Sequence, residues 1–253
     1  MSEDTQPTTP YVVVKENGPY RVHGPIDVAY QLIAADDEGA NWTWVQGETV
    51  KTTASFELCR CGHSSNKPFC DGTHLTFDFD GTETASRDSY ESQAEVFDGP
   101  SMQLADAESL CAFARFCDGH GSVWQLVSET SDHETREMTA HEATHCPAGR
   151  LVAHDKESLG AAIEPDLAPA IGVIEDRPLG VSGGLWLRGG IEVRSADGTP
   201  YPVRNRQVLC RCGASGNKPF CDGSHARIKF ADPMLAQVSD VVATVDSVTT
   251  PEV

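Results

Sequence analysis

The strongest constraint on this chain is a sixteen-residue stretch that occurs twice. It begins at Cys59 and ends at His74, then begins again at Cys210 and ends at His225. Thirteen of the sixteen positions are identical. Each copy orders its potential ligands as C-x-C-x8-C-x3-H: Cys59, Cys61, Cys70 and His74, then Cys210, Cys212, Cys221 and His225. Thiolate and imidazole donors suit zinc, or iron in a cluster. Zinc ribbons favour C-x2-C knuckles, whereas the first pair here is C-x-C. One intervening residue still lets two sulfurs reach one ion, and the long gap brings the last cysteine and the histidine from the far side. Pro68 and Pro219 fix φ, and Gly62, Gly72, Gly213 and Gly223 permit close backbone approach. Asp71 and Asp222 stand where an N-cap would open a short helix with the histidine in its first turn, its amides aimed at an anionic group. Beyond Phe69 and Phe220 each copy has few large apolar residues, so a bound group must supply much of the local folding energy.

The duplication extends upstream. Gly183–Val193 aligns without gaps on Gly18–Val28. Around the first copy, strands are predicted at Tyr11–Lys15, Tyr20–Val22, Ile26–Ala34, Trp42–Val45 and Phe56–Leu58, separated by turns at Asn17-Gly18-Pro19 and Asp36–Gly39. Val208-Leu209 leads into Cys210, with a hairpin turn at Asp197-Gly198. The expected fold class is α+β: two β-rich units packed as an intramolecular pseudo-dimer, with a small α+β insert. The expected boundaries are 1–84 for the first unit, 85–163 for the insert, 164–230 for a connector plus the second unit, and 231–253 for a tail without strong pattern. Residues 1–10 read as a loose end, and the Pro- and Gly-rich residues 164–184 as an extended connector. The glycine pairs 183/184 and 189/190 read as strand turns. Inside the insert, helices are expected over Ala105–Phe116 and Thr139–His145, with a strand at Val123–Val127.

Charge narrows the partners. A formal net charge of −19 argues against nucleic acid and against anionic lipid surfaces, and suits a basic redox partner. The N-terminus has no basic and apolar leader pattern, and no apolar run approaches the length of a membrane span. The expectation is a cytoplasmic protein. Nine cysteines without a secretory signal favour metal binding over disulfides. They fall into three groups of three: 59/61/70, 111/117/146 and 210/212/221.

Both repeated stretches resemble the CDGSH iron–sulfur family, with Ser64 and Ser215 at its Ser/Thr position and Cys70-Asp-Gly-Thr-His74 and Cys221-Asp-Gly-Ser-His225 at its signature. The resemblance implies a 2Fe-2S cluster at each site. It implies one iron on Cys59 and Cys61 (Cys210 and Cys212) and the other on Cys70 and His74 (Cys221 and His225). It also implies clusters near the surface that are acid-labile, because a protonated imidazole cannot ligate iron. Some members are anchored homodimers; here two copies in one chain could form the dimer internally. A Cys3His zinc site is the alternative.

The insert carries Cys111 and Cys117 as C-x5-C, then Cys146-Pro147-Ala-Gly149-Arg-Leu151. This segment resembles a divergent monocluster ferredoxin domain, with Ala114 at the place of the second cysteine. Three thiolates could hold a 3Fe-4S cluster; a 4Fe-4S cluster would need a fourth ligand such as His120, Asp118 or solvent. The competing reading is three small buried cysteines with no cluster. His141-Glu142-Ala-Thr-His145 matches the H-E-x-x-H zinc-protease pattern, but Cys146-Pro147 ends the helix and no third ligand follows at a suitable spacing. Cys117-Asp118-Gly119-His120 echoes the repeat without its C-x-C or proline. His23, His63, His133 and His154 read as surface residues, and His63 could tune the first site because Ala214 replaces it in the second copy. No nucleophile–base pair is evident, so no catalytic residue and no enzyme activity is expected. The leading expectation is a monomeric electron-transfer protein. Its partner would be a redox protein or, if it stores, transfers or senses clusters, a cluster acceptor. A structural zinc module comes third.

Overall fold

The computed structural model describes residues 9–233 and 235. The N-terminal end and nearly all of the tail discussed above lie outside the described residues. The first half contributes strands β1 (Tyr11–Val14), β2 (Tyr20–His23), β3 (Asp27–Ala35), β4 (Asn41–Val50) and β5 (Ser55–Leu58). The middle contributes helix α1 (Tyr90–Gln93), strands β6 (Glu95–Asp98) and β7 (Met102–Asp106), helices α2 (Val123–Leu126) and α3 (His133–His145), and strands β8 (Leu151–Asp155) and β9 (Ala161–Ile163). The last part contributes β10 (Ala170–Asp176), β11 (Val181–Arg188), β12 (Glu192–Arg194), β13 (Arg206–Leu209) and helix α4 (Ser224–Arg227). The fold is α+β and β-rich.

Three sheets result, ordered β12-β1-β2-β5, β13-β11-β10-β3-β4 and β6-β7-β8-β9. The first two each mix strands from both copies, and their registers are reciprocal. Tyr11, Val12 and Val13 of β1 run parallel to Glu192, Val193 and Arg194 of β12. Ala170, Ile171 and Gly172 of β10 run parallel to Asp27, Val28 and Ala29 of β3. Within each copy the antiparallel pairs also correspond, with Tyr11 opposite His23 and Ala170 opposite Arg188. Tyr20 likewise faces Leu58 where Leu185 faces Leu209. The second copy thus lends β12 to the first sheet, and the first copy lends β3, with β4 beyond it, to the second.

The reason is burial. One apolar core takes Val12, Val14, Tyr20, Val22, Val28 and Leu58 from the first copy and Ile171, Val173, Leu185, Leu187, Val193 and Leu209 from the second. Burying each such aliphatic side chain is worth about 1.5–3 kcal/mol, and neither copy can bury its own set without the other. Strands β3, β10 and β11 are covered on both faces, so they read as near-continuous apolar runs rather than alternating ones.

That explains one correction. Residues 164–184 are not a connector throughout: β10 and the start of β11 lie there. Gly183 and Gly184 belong to β11, where a side chain would strike Ile174 and Val208; Gly189 and Gly190 do form the turn that follows, with φ of +72° and +73°. Two expectations for the insert also change. Residues 105–116 are not a helix, because Phe113 and Arg115 adopt left-handed backbone (φ +56° and +62°), which interrupts helical hydrogen bonding. Residues 123–126 form α2 rather than a strand. Val123 and Val127 share one face at i, i+4 spacing and are both buried, in a core with Met102, Leu104, Ala143 and Leu151. The helix expected at Thr139–His145 begins earlier, at His133, after Asp132 caps the Thr135 amide at 2.9 Å.

Candidate metal centres

Each repeated stretch folds into a cradle tied to its lead-in strand. The Cys59 amide donates to Pro68 O at 2.8 Å and the Cys70 amide to Glu57 O at 2.9 Å; Cys210 and Cys221 do the same with Pro219 O and Val208 O. Ser64 and Ser215 each donate to the carbonyl five residues on, Phe69 and Phe220, at 2.7 Å. Lys67 and Lys218 turn back onto Ser64 O and Ser215 O. The N-caps of the short turns are Gly72 and Gly223, left-handed at φ +85° and +79°, one residue later than the aspartates. Asp71 still accepts from the Thr73 and Ser65 amides, and Asp222 from those of Ser224 and Gly216. The Thr73 hydroxyl first, then the Ser65 amide and hydroxyl and the Thr73 amide, hold the Asp71 carboxyl well below the usual carboxylate range.

The donors arrive in pairs. Cys59 Sγ and Cys61 Sγ are 3.8 Å apart, and Cys70 Sγ and His74 Nδ1 are 3.4 Å apart. The second cradle repeats this at 3.7 Å for Cys210 and Cys212 and 3.4 Å for Cys221 and His225. Two ligands held about 2.3 Å from one tetrahedral ion stand about 3.8 Å from each other, so each pair has the bite of one ion. Among the described residues no three His, Cys, Asp or Glu donors converge on a single ion position. Within each C-x-C pair one thiol is pushed down and its partner up. A hydrogen bond from Cys61, with the Ser64 and Gly62 amides, lowers Cys59 to about 6 and raises Cys61. Cys210 and Cys212 divide in the same way, while burial raises Cys70 and Cys221. Burial pushes His225 down to about 4, which keeps its imidazole neutral. Ligation needs anionic sulfur and neutral imidazole; Cys59, Cys210 and His225 are biased to those states, and the remaining thiols must lose a proton to the bound metal's pull.

The arginine between the first two cysteines is present in both copies, and cysteine spacing says nothing of it. The repeated C-R-C is the signal that could have found it. Arg60 and Arg211 are both buried. Arg60 donates to Lys15 O (2.9 Å) and Gly81 O, while Arg211 donates to Ile174 O (2.9 Å) and pairs with Glu175 and Asp232 at 2.6 and 2.7 Å. Each pins the cradle to the strand end behind it. Phe79 and Phe230 close the respective cysteine pairs. Tyr20 has no visible signal either: its hydroxyl crosses to the other copy and donates to Cys210 O at 2.8 Å and Pro219 O at 2.9 Å.

The cradles touch each other. A methyl group on Gly62 would stand 2.6 Å from Cys212 O, and one on Gly213 would stand 2.6 Å from Cys61 O. Exposure is unequal. In the second cradle all four donors are buried, whereas Cys70 and His74 of the first are partly exposed. His63 is exposed against Phe77, with ring centroids 4.7 Å apart; His23 stacks on Tyr11 at the same spacing.

In the middle, Cys111, Cys117 and Cys146 line one pocket with Ala114, Phe116 and Arg150. Neither proposed fourth ligand lines it. His120 turns its Nε2 to Asp36 at 2.5 Å, on the β3–β4 turn, and Asp118 is exposed. Arg150 pairs with Asp106 at 2.6 Å. The H-E-x-x-H residues are otherwise engaged. His141 and His145 stack at 3.9 Å with a ring nitrogen each on the carbonyls of Trp42 and His141, and Glu142 accepts from the His120 amide. The end of α3 is held from across the molecule: Arg206 donates to Ala143 O, Thr144 O and Cys146 O at 2.7–3.1 Å and pairs with Glu164.

Two family models match these segments. The one described as iron-binding zinc finger, CDGSH type, covers residues 17–75 and 182–226. The one described as divergent 4Fe-4S mono-cluster covers residues 97–156. Neither a curated protein nor a solved structure matches the chain. The chain is of the iron–sulfur-binding class. In particular it carries two CDGSH-type segments on either side of one divergent mono-cluster segment. No helix among the described residues is long and apolar enough to cross a membrane.

Proposed function

We propose that this protein carries electrons through two 2Fe-2S clusters and one cluster in the middle segment. The observation that carries the reading is the pairing of donors in both cradles. Cys59 with Cys61, and Cys70 with His74, offer one tetrahedral bite each, which suits two irons rather than a single zinc. Cys210 with Cys212, and Cys221 with His225, repeat it. When bound, such clusters supply one-electron redox chemistry. The chain's own residues favour the thiolate at Cys59 and Cys210, keep His225 neutral and exclude water from the second cradle, while the other four cradle thiols would give up their protons on binding iron. Cys111, Cys117 and Cys146 would hold a 3Fe-4S cluster, or a 4Fe-4S cluster with one non-protein ligand, since the pocket lining offers no fourth donor. The reciprocal strand exchange supports an internal pseudo-dimer within a monomer, the insert being ferredoxin-like. The partner is a redox protein rather than nucleic acid or membrane, the setting is cytoplasmic, and no catalytic residue is assigned.

The half-exposed Cys70–His74 pair favours a second reading, cluster transfer to an acceptor or redox sensing, because ligands open to water can be released. One preparation tests both. Anaerobically purified protein is expected to be red-brown, with about two irons and two acid-labile sulfides per CDGSH-type site, and to be reduced and reoxidised without loss of iron. Colourless protein with stoichiometric zinc overturns both readings. Cluster loss to an apo-acceptor that outpaces electron delivery favours transfer. EPR of the oxidised protein reads the middle site, where a 3Fe-4S cluster is paramagnetic and a 2Fe-2S cluster is silent.

A further inference from the structure

The two cradles have nearly the same sequence, but their surroundings differ in three independent ways. The first is cover. Gly72 has open space where a side chain would project, whereas the equivalent Gly223 faces Phe113, whose Cβ would lie 2.9 Å from an added methyl group, with Cys111 O at 3.5 Å. Asn217 Nδ2 donates to Ser109 O at 2.8 Å beside it. The middle segment is therefore seated on the second cradle and leaves the first open. The second difference is apolar surface. Around the first cradle His63 is exposed, Leu75 is 81% exposed and Phe77 is 40% exposed. In the second copy Ala214 and Ala226 replace His63 and Leu75, and Ile228, 46% exposed, stands where Phe77 does, so the added apolar surface of the first edge is chiefly that of Leu75. The third is charge. The first edge carries exposed Asp71, Asp78 and Asp80, while Asp78 and Thr76 are replaced by Lys229 and Arg227 in the second.

We infer that the Leu75–Phe77 face, rimmed by Asp71, Asp78 and Asp80, is the docking port of this chain for a protein one-electron carrier with a basic surface. The second cradle is a sealed station between the port and the middle cysteines. An apolar centre inside a polar, charged rim is the anatomy of a protein-docking patch, and opposite charge speeds the encounter. The carboxylates of the first edge attract a basic carrier that Arg227 and Lys229 of the second edge repel. The inference rests on the electron-transfer reading. At the port one electron leaves the reduced centre and enters the carrier's oxidised metal. The centre is oxidised by one, the carrier is reduced by one, and no proton or ligand is transferred.

Cytochrome c, a basic one-electron carrier, serves as the probe with the complete cluster-loaded chain. Leu75→Lys and Phe77→Lys are compared with Ile228→Lys, after iron content and visible spectrum confirm that each variant keeps its clusters. Binding by calorimetry at low salt, and reduction of ferric cytochrome c by the reduced protein, are both measured. The port predicts several-fold weaker binding and several-fold slower reduction for Leu75→Lys and Phe77→Lys, near-native values for Ile228→Lys, and weaker binding of the native chain as salt rises. Equal effects at both copies, or none at Leu75 and Phe77, overturn it. Ferricyanide, a small acceptor that needs no docking face, separates the two levels. If the reduced native protein does not reduce ferricyanide, the electron-transfer reading fails. If it does, and cytochrome c is indifferent to Leu75 and Phe77, only the port fails.

Discussion

Glu142 shows how a residue that looks catalytic in sequence can be structural. Its carboxyl is 1% exposed, one oxygen accepts from the His120 amide, and the other has no hydrogen-bond partner. Burial raises its pKa from 4.5 to about 7. A raised folded pKa means a contribution to stability that is full below pH 4.5 and lost as pH rises through about 7. His141, lowered by burial to about 4, has the opposite slope, losing its contribution as pH falls. Glu142→Gln isolates one of the two. The difference in Tm between variant and native protein is expected to move in the variant's favour from pH 4.5 to pH 7, by on the order of 3 kcal/mol in stability. A pH-independent difference would show that the carboxyl ionises freely. At this scale the eleven candidate donors could be named from the sequence, because all of them stand in spaced motifs. Tyr20 and Arg206 were not, since their partners lie 190 and about 60 residues away in sequence.

At the scale of elements, the close approach of the C-x-C-G loops makes the cradles mutually dependent. Gly62 and Gly213 sit at φ of +82° and +81°, each against the other loop's backbone. Gly62→Ala adds left-handed strain and a clash with Cys212 O, at least about 2 kcal/mol together. Iron should be lost from both cradles, although the change is in one. Metal analysis of the variant, against a Gly72→Ala control that also has positive φ but meets nothing within 4 Å, checks this. Iron lost from the first cradle alone would show that the loops do not support one another. Strands with clear alternation and turns, such as β2, β4 and β5, were legible. β10 was hidden by the prolines and glycines around it, though Ala170–Ile174 is an apolar run. The helix expected at 105–116 failed because apolar spacing cannot reveal left-handed residues inside a cysteine-bearing loop.

For the whole molecule, strand exchange predicts that neither copy folds without the other. The half ending near residue 84 would expose Val12, Val14, Val28 and Leu58, which pack on Ile171, Leu185, Val193 and Leu209. Expressed by itself, that half should show no cooperative unfolding transition. Co-expressed with the remainder it should co-purify as a complex that binds iron. A cooperatively folding isolated half would mean that the shared core is dispensable.

The candidate donors, their grouping in threes and the duplication can be read from the chain alone, because ligand chemistry is written in residue type and local spacing. Which copy lends which strand, the contact between the two cradles, and the cover that Phe113 gives the second while the first faces water emerge only in the folded chain. Those outcomes depend on contacts between residues far apart in the chain, where burial of a shared core and van der Waals exclusion choose among arrangements that local sequence allows equally.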